Sequence, residues 1–225
     1  MLLTLAVSSC GDDDDEGTTE NAAAKPALDP AKFSAAVENP LVPLTTVRTT
    51  VFEGTEDRAQ VRAESRVLGQ TGRVSGVPVT VVDVREFEDG ELVEHTRDYY
   101  ALDQDGVVRY MGEAVEDIED GKVVGHEGQW LAGRGGAKPG IFMPADPKVG
   151  DQFAQERAPR VAEDRSEVVA VGLNVTTPAG RFNDCIHTKD FAPLDKNTES
   201  KYYCAGVGLV REQSPEARLD LVRYR

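Results

Sequence analysis

Residues 89–121, DGELVEHTRDYYALDQDGVVRYMGEAVEDIEDG, decide the fold. Asp-Gly pairs stand at Asp89-Gly90, Asp105-Gly106 and Asp120-Gly121, sixteen and fifteen residues apart. Asp-Gly is a strong short-range hairpin signal, because both central residues of the favoured two-residue turn take positive φ. Between the pairs lie Glu91 to Leu102 and Val107 to Glu116, rich in Val, Tyr, Leu and Thr. These read as strands of about ten residues joined by tight turns, a meander.

The pattern continues on both sides. Upstream, Val47 to Glu53, Ala59 to Leu68 and Val77 to Phe87 read as strands. Downstream, Asp164 to Thr177, Gly180 to Lys189, Glu199 to Ala205, Leu209 to Gln213 and Arg218 to Tyr224 complete the set. Roughly nine to eleven long antiparallel strands in one domain must curl or close. The expected fold is mainly β, a strongly curved antiparallel meander forming a half-barrel or open barrel, with at most one or two short helices. One such helix is expected after Asp29, an N-cap followed by Pro30, with Phe33 and Val37 on one face and Asn39-Pro40 as its end.

The segment from Gly125 to Gly150 breaks the rhythm, with seven glycines, Pro139, Pro144 and Pro147. Inside it lie the lone Trp130 and the apolar run Ile141-Phe142-Met143. A loop this long in a compact domain is usually functional. It reads either as a crossover that plugs an open end of the sheet with Trp130 and Phe142, or as a flap over a ligand cavity. It is no phosphate loop, since no Gly-Lys-Ser/Thr follows.

The amino terminus reads as an export signal. Val7-Ser8-Ser9-Cys10 has the form of a lipobox, with two small residues ahead of a cysteine that takes the lipid. The apolar lead, Met1 to Val7, is short and has no basic residue before it, so a basic segment is expected upstream. The division is then a signal segment over 1–9, a lipidated acidic tether over 10–30 and one extracytoplasmic β domain over 31–225. The tether carries Asp12, Asp13, Asp14, Asp15, Glu16, Glu20 and Asp29 against Lys25. Such a like-charged polar run stays solvated and extended. Consecutive aspartates lack the spaced ligands and glycine bend of a calcium loop. The cysteine of a bacterial lipoprotein carries at least two acyl chains, enough for firm anchoring.

The formal net charge of −15 disfavours nucleic acid, where binding rests on cation–phosphate contacts. It also disfavours direct docking on anionic lipid, so the membrane partner is reached through Cys10.

Cys185 and Cys204 remain, in an oxidising compartment, on strands that could be neighbours. They are read as a disulfide, with two unpaired buried thiols as the other possibility. A metal site is not indicated: Cys185-Ile186-His187 supplies one thiol and one imidazole, and zinc wants about four ligands. No cofactor motif is present. His95, His126 and His187 are scattered, no Gly-x-Ser-x-Gly elbow occurs, and Ser166 and Ser200 lie within expected strands. Adjacent acids such as Glu116-Asp117, Glu119-Asp120 and Glu163-Asp164 arise readily in so acidic a chain, and only a buried pair with split pKa values points to acid–base work.

Several strings resemble an uncharacterised family of secreted bacterial proteins and lipoproteins. They are Asn39-Pro40-Leu41-Val42-Pro43-Leu44, Val51-Phe52-Glu53-Gly54, Tyr99-Tyr100-Ala101, Asp105 to Glu113, Pro139-Gly140-Ile141-Phe142-Met143-Pro144, Pro178 to Cys185, Lys201-Tyr202-Tyr203 and Gly206-Val207-Gly208-Leu209-Val210. The resemblance implies a curved antiparallel sheet, loosely similar to half-barrel lipoprotein carriers of bacterial envelopes, and no particular activity. It departs at Cys204, where such proteins often have alanine, with a cysteine near Val79 instead.

The expected function is therefore non-catalytic binding of a lipid or other amphipathic small molecule, with Trp130, Ile141, Phe142 and Met143 as pocket or lid residues. The alternative is a cavity-less scaffold acting through a surface patch, for which Tyr99, Tyr100 and Tyr110 are candidates. A hydrolase has the least support. Oligomeric state is left open.

Overall fold

The computed structural model describes residues 28–194 and 196–225; the side chains of 70 and 71 are left aside. The signal segment, most of the tether and Cys10 lie outside the described residues. Fifteen strands among the described residues form one sheet. Its long strands are β2 (Thr49–Glu56), β3 (Ala59–Val74), β4 (Val77–Glu88), β5 (Glu91–Asp103), β6 (Val108–Glu119), β11 (Arg165–Thr177), β12 (Gly180–Ala192), β13 (Asn197–Cys204), β14 (Gly208–Gln213) and β15 (Ala217–Tyr224). The short ones are β1 (Phe33–Ser34), β7 (Lys122–Gly125), β8 (Trp130–Leu131), β9 (Gly140–Met143) and β10 (Gln152–Ala154). The long strands from β2 to β6 and from β11 to β15 each pair antiparallel with the next, as the meander reading requires.

Among the long strands one pairing is not between sequence neighbours. β15 lies against β2, paired from Ala217↔Glu56 to Tyr224↔Thr50 with a register shift between Leu221 and Arg223, and joins the two halves of the chain into one continuous path. Gly54 permits this: a Cβ there would lie 1.8 Å from the carbonyl oxygen of Arg218. The path's two ends then meet. β6 pairs with β9, and Gly140 of β9 sits so close to β10 that a Cβ would lie 1.7 Å from the Gln155 carbonyl oxygen. Lys138 N–H donates to the Arg157 carbonyl across the same seam at 3.0 Å. The curled sheet thereby encloses an interior.

The turns follow their residues. Asp89-Gly90 and Asp120-Gly121 both have positive φ, as two-residue hairpin turns demand. Asp105-Gly106 differs. Only Gly106 has positive φ, and the Asp103 carboxylate organises a longer turn by accepting the Asp105 and Val107 amides, each at 3.0 Å.

The helix expected after Asp29 is a correction. Asp29 does cap, accepting the Ala31 amide at 3.1 Å, but only a single 3-10 turn forms, Pro30–Lys32. Phe33 instead starts β1, pairing with Asp103 of β5. Sheet pairing overrides the weak helical pattern, and Val37 ends fully buried in the core.

The long glycine-rich segment packs as the plug. Trp130 is buried edge-on to Tyr110 at 5.5 Å, and Met143 is fully buried. Both short strands inside it pair with β6. A second apolar cluster gathers Phe52, Val61, Phe182, Val210, Leu219 and Leu221 around Cys185 and Cys204. The register sets Cys185 opposite Cys204, and the two are disulfide-bonded.

That bond closes a loop of 19 residues in sequence separation. A closed loop of this length is worth on the order of 3 kcal/mol in the chain-entropy model. The double variant Cys185→Ala/Cys204→Ala should lose about that much in a urea unfolding titration, with the spectrum of the native β-sheet retained.

Candidate functional site

Residues that face each other across paired strands share a face of the sheet. Val82, Asp98, Glu113 and Trp130 form one such row, and Val84, Thr96 and Val115 the next. Tyr203 approaches the same interior from β13. Its ring lies edge-on to Phe142 at 6.2 Å, Phe142 lies 4.8 Å from Tyr100, and Tyr100 stacks on Tyr110 at 5.2 Å. Four rings from four strands thus meet across the interior, with Phe142 in the middle.

Two cavities flank Phe142. The larger, of about 120 Å³, is lined mainly by apolar groups from the 41–47 segment and from Phe52, Val67, Val82, Val84, Tyr100, Phe142, Tyr203 and Leu209. Arg48 stands at its solvent side, with its guanidinium donating to the Leu44 and Val67 carbonyls at 3.2 Å each. Asp98 also lines it. The smaller cavity, of about 30 Å³, lies beyond Phe142, Tyr203 and Leu209, which wall it together with Tyr110, and it is also bordered by Gln155, Glu156, Asp164, Lys201 and Glu212. It has room for a water or an ammonium group.

The interior is unusually acidic. Asp98 accepts from Thr96 Oγ1 and Tyr100 OH at 3.2 Å and from Tyr110 OH at 3.4 Å. Glu113 is 1% exposed, and neither of its carboxyl oxygens has a hydrogen-bond partner. Glu156 is 4% exposed, and its Oε1 also lacks one. Burial, with Glu156 and Asp98 beside it, holds the Glu113 carboxyl well above the ordinary range. Burial and Asp164 push Glu156 up to about 8. Further along the same face, burial together with neighbouring acids pushes Glu86 up to about 8, and Glu56 and Glu94 up to about 7. Lys201 is the buried cation here, 3.3 Å from Asp190 and 3.2 Å from Glu199. Burial works against its charge, but Glu212, Glu199 and Asp190 outweigh that and raise its pKa.

Of the four residues expected at a pocket or lid, Phe142 lines both cavities. Trp130 and Met143 pack into the core, Ile141 is half-buried, and none of the three lines either of these two cavities. The buried carboxyls escaped the sequence reading, which looked for adjacent acids. They pair instead across strands, Asp98 with Glu113 and Glu86 with Glu94. Their signal was parity: Asp98 alternates in step with Thr96 and Tyr100, and Glu86 in step with Val82 and Val84.

The surface patch proposed for a scaffold does not form from Tyr100 and Tyr110, which are both buried; Tyr99 is half-buried. His95 bonds Asp83 at 2.7 Å and Glu116 at 3.0 Å, His126 faces the Val115 carbonyl, and His187 stacks on Tyr202 at 4.5 Å. Ser166 is buried and donates to Asp190 at 2.6 Å. Among the described residues no histidine bonds a serine or cysteine, and no group of three or more His, Cys, Asp or Glu is placed to hold a metal ion.

No family model and no curated protein matches the chain. One similar solved structure is a protein of Parabacteroides distasonis ATCC 8503, provisionally described as a lipoprotein. It is 13% identical, with a TM-score of 0.38, over 79% of this chain and 94% of that one. A superposition that loose carries no functional weight.

The raised carboxyls set a pH dependence. A carboxyl whose folded pKa exceeds its unfolded value destabilises the fold once it must ionise. Stability is therefore fullest below about pH 4.5 for these groups and is lost as pH rises through about 7 to 8. The melting temperature should be higher at pH 5 than at pH 8.5. In Glu86→Gln the difference should shrink.

Proposed function

We propose that the protein is a bacterial envelope lipoprotein, anchored through lipid on Cys10, whose β domain binds a small apolar or amphipathic molecule. The observation that carries the ligand reading is the apolar cavity of about 120 Å³ walled by Tyr100, Phe142 and Tyr203 inside a curled sheet. Binding sites are typically concave, largely apolar and furnished with a few convergent polar groups. Asp98 and Arg48 are the charged groups on this lining.

Size restricts the ligand. Drug-sized molecules occupy roughly 300–1,000 Å³, whereas an apolar cavity of about 150 Å³ accepts benzene. A whole phospholipid does not fit within this volume; a molecule with five or six carbons does. The anchor reading is supported by Val7-Ser8-Ser9-Cys10 and the acidic run after it. It places the β domain outside the cytoplasm, where a disulfide such as Cys185–Cys204 persists.

The test has two parts. Cells expressing the full chain should incorporate labelled palmitate into it, and Cys10→Ala should abolish the label. Native mass spectrometry of the exported Cys10→Ala chain, purified without detergent, should reveal a small bound mass that leaves on denaturation. A chain that stays unlabelled contradicts the anchor. A bare mass that persists after incubation with small amphiphiles contradicts the ligand reading.

A further inference from the structure

The polar groups around the cavity specify the charge of what it takes, granted the ligand-binding reading above. An apolar cavity filled only by an apolar guest has no need of carboxyls at its base. Here Asp98 lines the floor of the larger cavity, and Glu156 lines the smaller one on the other side of Phe142, Tyr203 and Leu209. Glu113 is the strand partner of Asp98. Buried carboxyl oxygens without partners are costly. Both oxygens of Glu113 and one of Glu156 are in that state, and Glu156 borders a space the size of an ammonium group.

We infer that this site takes a small organic cation, an alkylammonium ion, whose apolar body lies between Tyr100, Phe142 and Tyr203 and whose head turns to the carboxyls of Asp98 and Glu156, with Glu113 behind Asp98 adding to the acidic surroundings.

The surrounding charges favour this class over an anion. Glu94, Asp98 and Tyr100 face the base from β5, and Tyr110 and Glu113 from β6. Glu156 and Asp164 face it from the 155–164 loop, and Lys201, Tyr203 and Glu212 from β13 and β14. Lys201 is already engaged by Asp190 and Glu199. Arg48, at the solvent side, is turned to backbone carbonyls. Aromatic faces add attraction for an ammonium group within about 6 Å of a ring centroid. The net charge of −15 also draws cations toward the protein.

Binding should move a proton. Glu156, with its pKa near 8, holds its proton at neutral pH. An arriving ammonium ion favours the ionised carboxyl, so the acid O–H bond breaks, the electron pair stays on the carboxylate and the proton leaves to solvent. Affinity therefore strengthens as pH rises from 6 to 8.

Titration calorimetry on the exported Cys10→Ala full chain tests this with three probes of one carbon skeleton: n-pentylammonium, pentan-1-ol and pentanoate. The expected result is binding of n-pentylammonium, exclusion of pentanoate, and release of up to one proton per bound cation at pH 7, read from buffers of different ionisation enthalpy. In Glu156→Gln, affinity for n-pentylammonium should fall about tenfold, the loss of one charge-assisted contact, while pentan-1-ol is unaffected. If pentan-1-ol and pentanoate bind as well as the amine, or no proton is released, the cation inference is overturned and the apolar cavity stands. If no probe binds, the ligand-binding reading falls with it. The proton measurement uses the interior unaltered, so it decides the matter even if Glu156→Gln misfolds.

Discussion

The pairing of β15 with β2 is the constraint on which the rest depends. Without it the chain would be two separate meanders, each with a face to cover. With it the strands run in one path from β10 to β7, and the natural twist of a long sheet brings the path's ends together. Both closures need backbone contact closer than a side chain allows, which is why glycine stands at Gly54 and Gly140. The glycine-rich segment after β7 then has a definite task. Its short strands extend the β6 edge, and Trp130, Phe142 and Met143 occupy space that a wide curl cannot fill from its own strands.

Closure also explains the chemistry inside. Once the sheet curls, most residues of inward parity are removed from water, acids included. Apolar inward residues at Phe52, Val82, Val84 and Leu221 supply the stabilising burial, while the buried Glu56, Glu86, Glu113 and Glu156 and the half-buried Glu94 oppose it. Buried acids meet this cost chiefly by keeping their protons. A solid apolar filling of the same interior would be more stable. Glu156 lines the smaller cavity and Asp98 the larger, with Glu113 the strand partner of Asp98, and that placement is what links these three to a ligand instead of to the fold.

Much of the architecture was legible in the sequence. Asp-Gly at Asp89-Gly90 and Asp120-Gly121 located two hairpins, and alternation of Val, Tyr and Thr located the long strands to within about three residues, except β3, which runs on from the expected end at Leu68 to Val74. The disulfide between Cys185 and Cys204 matches the expectation drawn from two neighbouring strands and an expected oxidising compartment, without support from the family resemblance. Other features were not legible, for identifiable reasons. The β2–β15 pairing joins residues at opposite ends of the domain, which local periodicity cannot see. The helix expected after Asp29 lost to pairing of Phe33 with Asp103, a tertiary effect. At the cavities only Phe142 was picked out beforehand. Asp98, Glu113 and Glu156 were passed over because their proximity arises from strand register and from the β9–β10 seam, neither of which is written in any short motif.

Closure of the sheet encloses carboxyls that stay protonated near neutral pH. Carbon-13 NMR titration of the glutamate side-chain carboxyls of the folded protein measures this directly. Glu86 and Glu156 are expected to titrate near pH 8 and Glu56 and Glu94 near pH 7, well apart from the surface glutamates. Titration of every glutamate together near its ordinary value of 4.5 would mean that the interior is open to water, and would contradict both the closed sheet and the site built upon it.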